Sequence, residues 1–148
     1  PYQKPAYSLL LSIVKLIYFI VLYQVGYWVH FKDIHSDKTL IILDRYFHDL
    51  LADPKRSRYG GSMQMAKFAS LMIPTPHRFI LLDAPTDVIQ QRKQEVSPQE
   101  TETQRRAYLK LCHELSNIDV IDTSLPLQQV KNQIEDTLTS ISKLSVNQ

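Results

Sequence analysis

Apolar positions divide the chain into runs of two kinds. Residues 7–31 form the longest run, apolar at nearly every position. Ser8, Ser12, Lys15 and His30, together with Gly26, fall on one narrow stripe of a 3.6-residue helix, with Gln24 elsewhere. A helix apolar almost all round belongs in a core or in a membrane, and this one is long enough to span. Lys15 sits in mid-run, however, where a charge is expensive in lipid. The expectation is a buried helix over a sheet rather than a span. Three short β-rich runs follow, at 39–43, 78–82 and 118–121, each leading into an aspartate: Asp44, Asp83 and Asp122. Continuous apolar runs of this length suit strands buried on both faces of a parallel sheet.

Helical patterns lie between these runs. One covers 62–73 and is stopped by Pro74 and Pro76; a second covers 85–95. A third covers 97–115 and opens on Ser97-Pro98-Gln99-Glu100, a capping box with proline at the first helical position. From Pro126 onward, Leu127, Val130, Ile134, Leu138 and Ile141 recur at spacings of 3, 4, 4 and 3, an amphipathic face. Residues 144–148 are expected to fray. The order of elements predicts an α/β fold: a mostly parallel sheet with flanking helices and right-handed crossovers, in a single domain over 1–148.

Composition narrows the classes. The 148 residues are 44% apolar and 22% charged, the balance of a globular protein. A net charge of +2 gives no global pull toward nucleic acid, and no basic–aromatic pattern suggests it either. The lone Cys112 forms no internal disulfide and fits a reducing cytoplasm. It reads as a small packing residue, not a nucleophile. No small-residue pair follows the apolar run, so no signal peptide is expected. The first residue is Pro1 rather than Met, so processing or truncation is expected upstream.

In open parallel sheets, ligands gather beyond the carboxyl ends of the strands, where the three aspartates are expected. Asp44 is followed at once by Arg45 and Tyr46. An acid there can organise Mg²⁺ through water, and the arginine fork can grip phosphate oxygens. The bland alternative is an aspartate capping the next segment with the arginine paired to it. Residues 53–62, DPKRSRYGGS, gather Lys55, Arg56 and Arg58 beside Tyr59 and Gly60-Gly61, either a site for an anion or a solvated basic loop. Arg92 and Lys93 close one helix, and Arg105 and Arg106 lie on the next. The polar segment between them could close over a substrate or simply be an exposed hairpin. His30, His35, His48, His77 and His113 lack zinc-ligand spacing. None of the three glycines belongs to a G-x-x-x-x-G-K-[ST] phosphate loop.

Taken in order and spacing, several segments resemble thymidylate kinases and their relatives. They are LIILDRY at 40–46, FILLDAPTDVIQQRKQE at 79–95, QRRAYLKL at 104–111 and VIDTSLPLQQV at 120–130, all behind an apolar helix. The resemblance runs from about residue 7 to 138. It implies a P-loop NTPase-like fold missing its first βα unit. It also implies a cytoplasmic nucleotide kinase that transfers a phosphoryl group from ATP, with Mg²⁺, to a nucleotide-like acceptor; in thymidylate kinases ATP and dTMP give ADP and dTDP. On that basis Asp44 and Arg45 look like the pair at the acceptor phosphate and Mg²⁺, and Tyr46 like the adjoining wall. Arg92, Lys93, Arg105 and Arg106 look like lid-side cations near ATP. Thr123, Ser124 and Leu125 look like the loop against adenine.

Two departures stand out. The family carries a serine and an Ala-Tyr-Gln segment after its Asp-Arg-aromatic motif; this chain reads FHDLLADPKRSRYGG. Asp49 stands where the serine would be, and Arg58 and Tyr59, with the glycines, where the Tyr-Gln would be. The loop 55–58 is therefore expected to meet an acceptor more anionic than thymidylate. The family also places its P-loop upstream of the apolar helix, so these 148 residues alone are expected to turn over no ATP. A homodimer is left open, and neither nucleic acid nor membrane is expected as a partner. The rivals are a non-catalytic α/β fragment and a membrane-anchored protein using 7–31.

Overall fold

A computed structural model describes residues 2, 4–31 and 39–146. The chain divides into two compact units, Pro1–Thr75 and Pro76–Gln148. The first is helical. Its long helix α1, Leu9–Gly26, begins at Ser8, whose hydroxyl accepts from the Leu11 N–H. A π-helical turn, Tyr27–Phe31, continues it. Two short helices follow: α2, Asp49–Ala52, and α3, Met63–Ser70, the latter capped by the Ser62 hydroxyl on the Gln64 N–H. Leu16, Phe47, Leu50, Tyr59, Ala66, Ala69 and Ile73 form the core. Phe19 meets Phe47 edge-on at 5.9 Å and Tyr23 meets Tyr46 at 4.6 Å, offset geometries that aromatic quadrupoles favour.

Two expectations are corrected here. Residues 39–43 form no strand, and Ile42 is 75% exposed. An extended segment is stabilised by a partner that takes up its N–H and C=O groups, and among the described residues this run pairs with none. Apolar composition alone does not supply that partner. The long helix is likewise not buried: only 11% of its most apolar window lies inside. Leu10, Leu11, Val14, Tyr18, Val21 and Val25 are all more than half exposed. The reason is on the other side. Ser12 and Lys15 of the polar stripe share the packed side with Leu16, Phe19, Ile20 and Tyr23. Ser12 is 0% exposed and accepts from the Gly60 N–H at 3.0 Å, while the Lys15 ammonium donates to the Ser57 carbonyl. These side chains satisfy backbone groups of the turn at 53–60, while Leu10, Val14, Tyr18, Val21 and Val25 remain exposed.

The second unit carries the sheet. Strands β1, Phe79–Asp83, and β2, Ile118–Asp122, pair in parallel from Phe79↔Ile118 to Asp83↔Asp122. The ladder is prolonged at both ends, Phe79 N–H to Asn117 O at 2.8 Å and Thr123 N–H to Asp83 O at 2.7 Å. Between the strands run α4, Thr86–Arg92, and α5, Pro98–Glu114. The Ser97 hydroxyl accepts from the Glu100 N–H at 3.2 Å with Pro98 in the first turn, as the sequence predicts. Helix α5 packs on both strands and α6, Leu127–Val146, packs on β2. α6 runs past Lys143, the expected fraying point; Asn147 and Gln148 lie outside the described residues. The class is thus mixed α/β, a two-stranded parallel sheet with flanking helices.

Candidate functional site

The parallel register brings the ends of β1 and β2 level, so Asp83 and Asp122 stand side by side. Around them α4, α5 and the turn after β2 deliver Arg92, Arg105, Thr123 and Ser124. Arg105 grips Asp83 with two parallel bonds, Nε to Oδ1 at 2.8 Å and Nη2 to Oδ2 at 2.9 Å. That carboxylate holds the Arg105 guanidinium above its ordinary pKa range. Arg92 reaches instead to neutral groups, the Thr123 carbonyl at 2.6 Å and its hydroxyl at 3.4 Å. The Thr123 hydroxyl in turn donates to the Asp83 carbonyl at 2.9 Å. The Ser124 hydroxyl and N–H both bond Asp122, and hold its carboxyl below the usual carboxylate range.

The other two cations of this group are committed elsewhere. Arg106 pairs with Glu102 at 2.6 Å, and Lys93 with Glu95 at 2.5 Å. Glu102 also accepts from the Thr86 hydroxyl at 2.5 Å. That bond first, and Arg106 next, keep its carboxyl below the usual range. Of the four cations read from the sequence, Arg92 is therefore the one held by uncharged acceptors. Leu125 is half-buried beside this group in sequence. The aspartates, Thr86 and Glu102 were not singled out as site residues; the Leu-Asp-x-Pro strand end was the available signal for Asp83. Cys112 is half-buried, and burial raises its thiol pKa, the opposite of what a nucleophile needs.

The first unit holds the other sequence-derived residues. Asp44 and Arg45 lie on an exposed bend instead of a strand end. Arg45 pairs with Asp49 at 3.1 Å. Tyr46 points inward and its hydroxyl donates to the Pro74 carbonyl. Burial, with Tyr23 adding, pushes its phenol up to about 12. His48 stacks on Tyr46 with 5.9 Å between centroids, and burial lowers its imidazole pKa against the pull of Asp49. Tyr59 is buried and donates to the Ser62 carbonyl at 2.9 Å. Arg58 lies over the Tyr7 ring, 4.2 Å from its centroid, with Nε donating to the Pro5 carbonyl at 2.9 Å. Among the described residues, Arg45 (φ 72°) and Arg58 (φ 56°) are the non-glycine residues with positive φ.

No group of three or more His, Cys, Asp or Glu side chains gathers among the described residues, and His35 lies outside them. A Mg²⁺ that works with phosphates needs only one or two carboxylates, the remaining ligands being water and substrate oxygens. Asp44 is exposed, and among the described residues no ion pair holds it, which fits that modest role. No family model, no curated protein and no solved structure matches the chain.

Proposed function

We propose that the protein is a nucleotide kinase of the P-loop type, transferring a phosphoryl group from ATP to a nucleotide-like acceptor. The observation that supports this most is Arg92, held by neutral acceptors at the level carboxyl ends of two parallel strands. Among the described residues its hydrogen bonds go to Thr123 alone, with Asp122 acting on it only through space, so its guanidinium can turn to phosphate charge without breaking an ion pair; phosphoryl transfer depends mainly on positioning and charge neutralisation. In this reading Asp44 would hold Mg²⁺ through water, and the ion would supply neutralisation of phosphate charge. Arg45 grips the acceptor phosphate, and Thr123, Ser124 and Leu125 line the adenine side. Arg105 organises the site by fixing Asp83 and touches no substrate.

The reading requires a phosphate-binding loop, which these 148 residues do not contain. Two measurements test it. Phosphoryl transfer from ATP to a panel of nucleoside monophosphates is assayed with a protein that carries a phosphate-binding loop ahead of these residues. In it Arg92→Ala should raise KM for ATP, and Arg45→Ala should lower kcat, both at unchanged thermal stability. Absence of transfer to every acceptor, or ATP turnover by the 148 residues alone, would overturn it.

A second reading, attachment to a membrane surface through α1, is favoured by the exposure of that helix's outer face. Because α3 covers the other face, the helix would lie along the surface and not cross it. Sedimentation with neutral lipid vesicles separates the two readings.

A further inference from the structure

One cluster in the first unit is left without a role by the reading above. Lys15 lies on the packed side of its helix beside buried Ser12 and Leu16, and its ammonium sits 5.3 Å from the centroid of the Tyr7 ring. Arg58 comes from the turn at 53–60 and covers the same ring at 4.2 Å. Two cations thus share one phenol, and the Arg58 Nη1 donates to the Tyr7 hydroxyl at 3.3 Å, which leaves that hydroxyl's own proton to give. Among the described residues, neither cation has a carboxylate within ion-pair distance. Asp53, the acid of this turn, is buried and occupied by the Tyr2 hydroxyl at 2.5 Å and the Arg56 N–H at 3.2 Å. Burial first, and then the charge of Arg58, hold the Lys15 ammonium below its ordinary pKa range.

The surroundings look built for this arrangement. Three separate segments converge and are tied by backbone bonds: Tyr7 N–H to Arg58 O at 2.8 Å, Gly60 N–H to the Ser12 hydroxyl at 3.0 Å, and Lys15 to the Ser57 carbonyl. Arg58 is kept in the left-handed region, φ 56°, which a side chain adopts only when its surroundings enforce it. A Cβ on Gly60 would stand 2.1 Å from the Tyr7 carbonyl oxygen, so only glycine allows the two segments to close up. The ring face and the carbonyls of Ser57 and Pro5 offset part of the repulsion between these half-buried like charges, and an anion joining them would offset the rest.

We propose that Lys15, Arg58 and the Tyr7 hydroxyl form a binding site for the phosphate of a phosphate monoester. An ammonium and a guanidinium together match the charge of the dianion; with Nε on the Pro5 carbonyl and Nη1 on the Tyr7 hydroxyl, Nη2 of Arg58 is left to donate to one oxygen and the phenol to another. Lys55 and Arg56, in the same turn, add to the field that attracts it. The site goes beyond the acceptor residues read from the sequence, since Lys15 and Tyr7 were not among them. It stands whether or not the chain transfers phosphoryl groups, because binding is read without ATP.

The test is calorimetric titration of the full 148-residue chain with inorganic phosphate and with a nucleoside monophosphate, at constant ionic strength. Saturable binding is expected, weakened about 10-fold or more in Lys15→Gln and in Arg58→Gln. Lys15→Arg, which keeps the charge, should retain binding within a few-fold and guards against a variant that merely fails to fold. A parallel arm sediments the chain with vesicles of phosphatidylcholine, with and without phosphatidic acid. Binding to phosphatidic acid that depends on Lys15, without binding of soluble phosphate, supports the site and assigns its phosphate to a lipid. No saturable binding in either arm, or equal binding by the wild type and both glutamine variants, would overturn it.

Discussion

Replacing Arg105 should cost stability, and the structure sets how much. The guanidinium meets Asp83 through two parallel bonds at 2.8 and 2.9 Å, with side-chain exposures of 28% and 16%. A fully exposed pair of this type contributes about 0.2–1 kcal/mol, and a well-shielded charge-assisted bond about 1.5–3 kcal/mol. Partial exposure places the pair between, at about 1–2 kcal/mol, or roughly a 5- to 30-fold change in the folded-to-unfolded ratio. Arg105→Gln should therefore lower the urea midpoint with an unchanged slope. Arg105→Lys should recover less than half of the loss, because a point charge cannot reproduce the fork. A double-mutant cycle with Asp83→Asn isolates the pair and should return a coupling of about 1 kcal/mol or more. A coupling below about 0.3 kcal/mol would refute the reasoning, since independent sites already add to within that margin. It would also reopen a direct substrate role for Arg105.

Other expectations follow from the first unit. His48 is held neutral by burial, so its folded pKa lies below the unfolded value of about 6.5. The unfolded chain then takes up the proton first, so this contribution is complete above about pH 6.5 and is lost as pH falls through the folded value; thermal melts between pH 8 and 5 should show it, and His48→Gln should flatten the curve. Gly60→Ala should destabilise by about 1–3 kcal/mol, because its Cβ would meet the Tyr7 backbone at 2.1 Å. Gly26→Ala, with nothing within 4 Å, should be neutral or stabilising by up to about 1 kcal/mol; equal effects at the two glycines would contradict the packing. Val14→Lys and Val21→Lys, on the exposed face of α1, should each change stability by less than about 0.5 kcal/mol, whereas Leu16→Ala, buried, should cost about 2–4 kcal/mol by urea denaturation.

Local signals carried the second unit well. The strands at 78–82 and 118–121, the capping box at Ser97 and the 3-4 spacing after Pro126 each have a short-range cause, and each appears where the pattern puts it. The first unit was less legible because its decisive contacts lie far apart in sequence. LIIL at 40–43 has the composition of a strand, but a strand is made by its neighbour, and composition does not name the neighbour. The same limit governs α1. Its periodicity correctly singled out Ser12 and Lys15 as one stripe. It could not name the partners of that stripe, the carbonyl of Ser57 and the amide of Gly60, more than forty residues away.

The candidate site divides along the same line. The resemblance singled out Arg92, Arg105, Thr123 and Ser124, and the parallel register sets them at one end of the sheet. Their separate roles were not legible, because role depends on partner. Arg92 and Arg105 are the same residue type on neighbouring helices, yet one is neutralised by Asp83 and the other leans on an uncharged threonine. A cation already matched by a carboxylate must break that pair before it can serve a ligand, while one resting on a carbonyl gives up far less. The difference decides which arginine is available to an anion and which keeps the scaffold in place. It lies in Asp83 and Thr123, residues that only the folded chain brings to the two guanidinium groups.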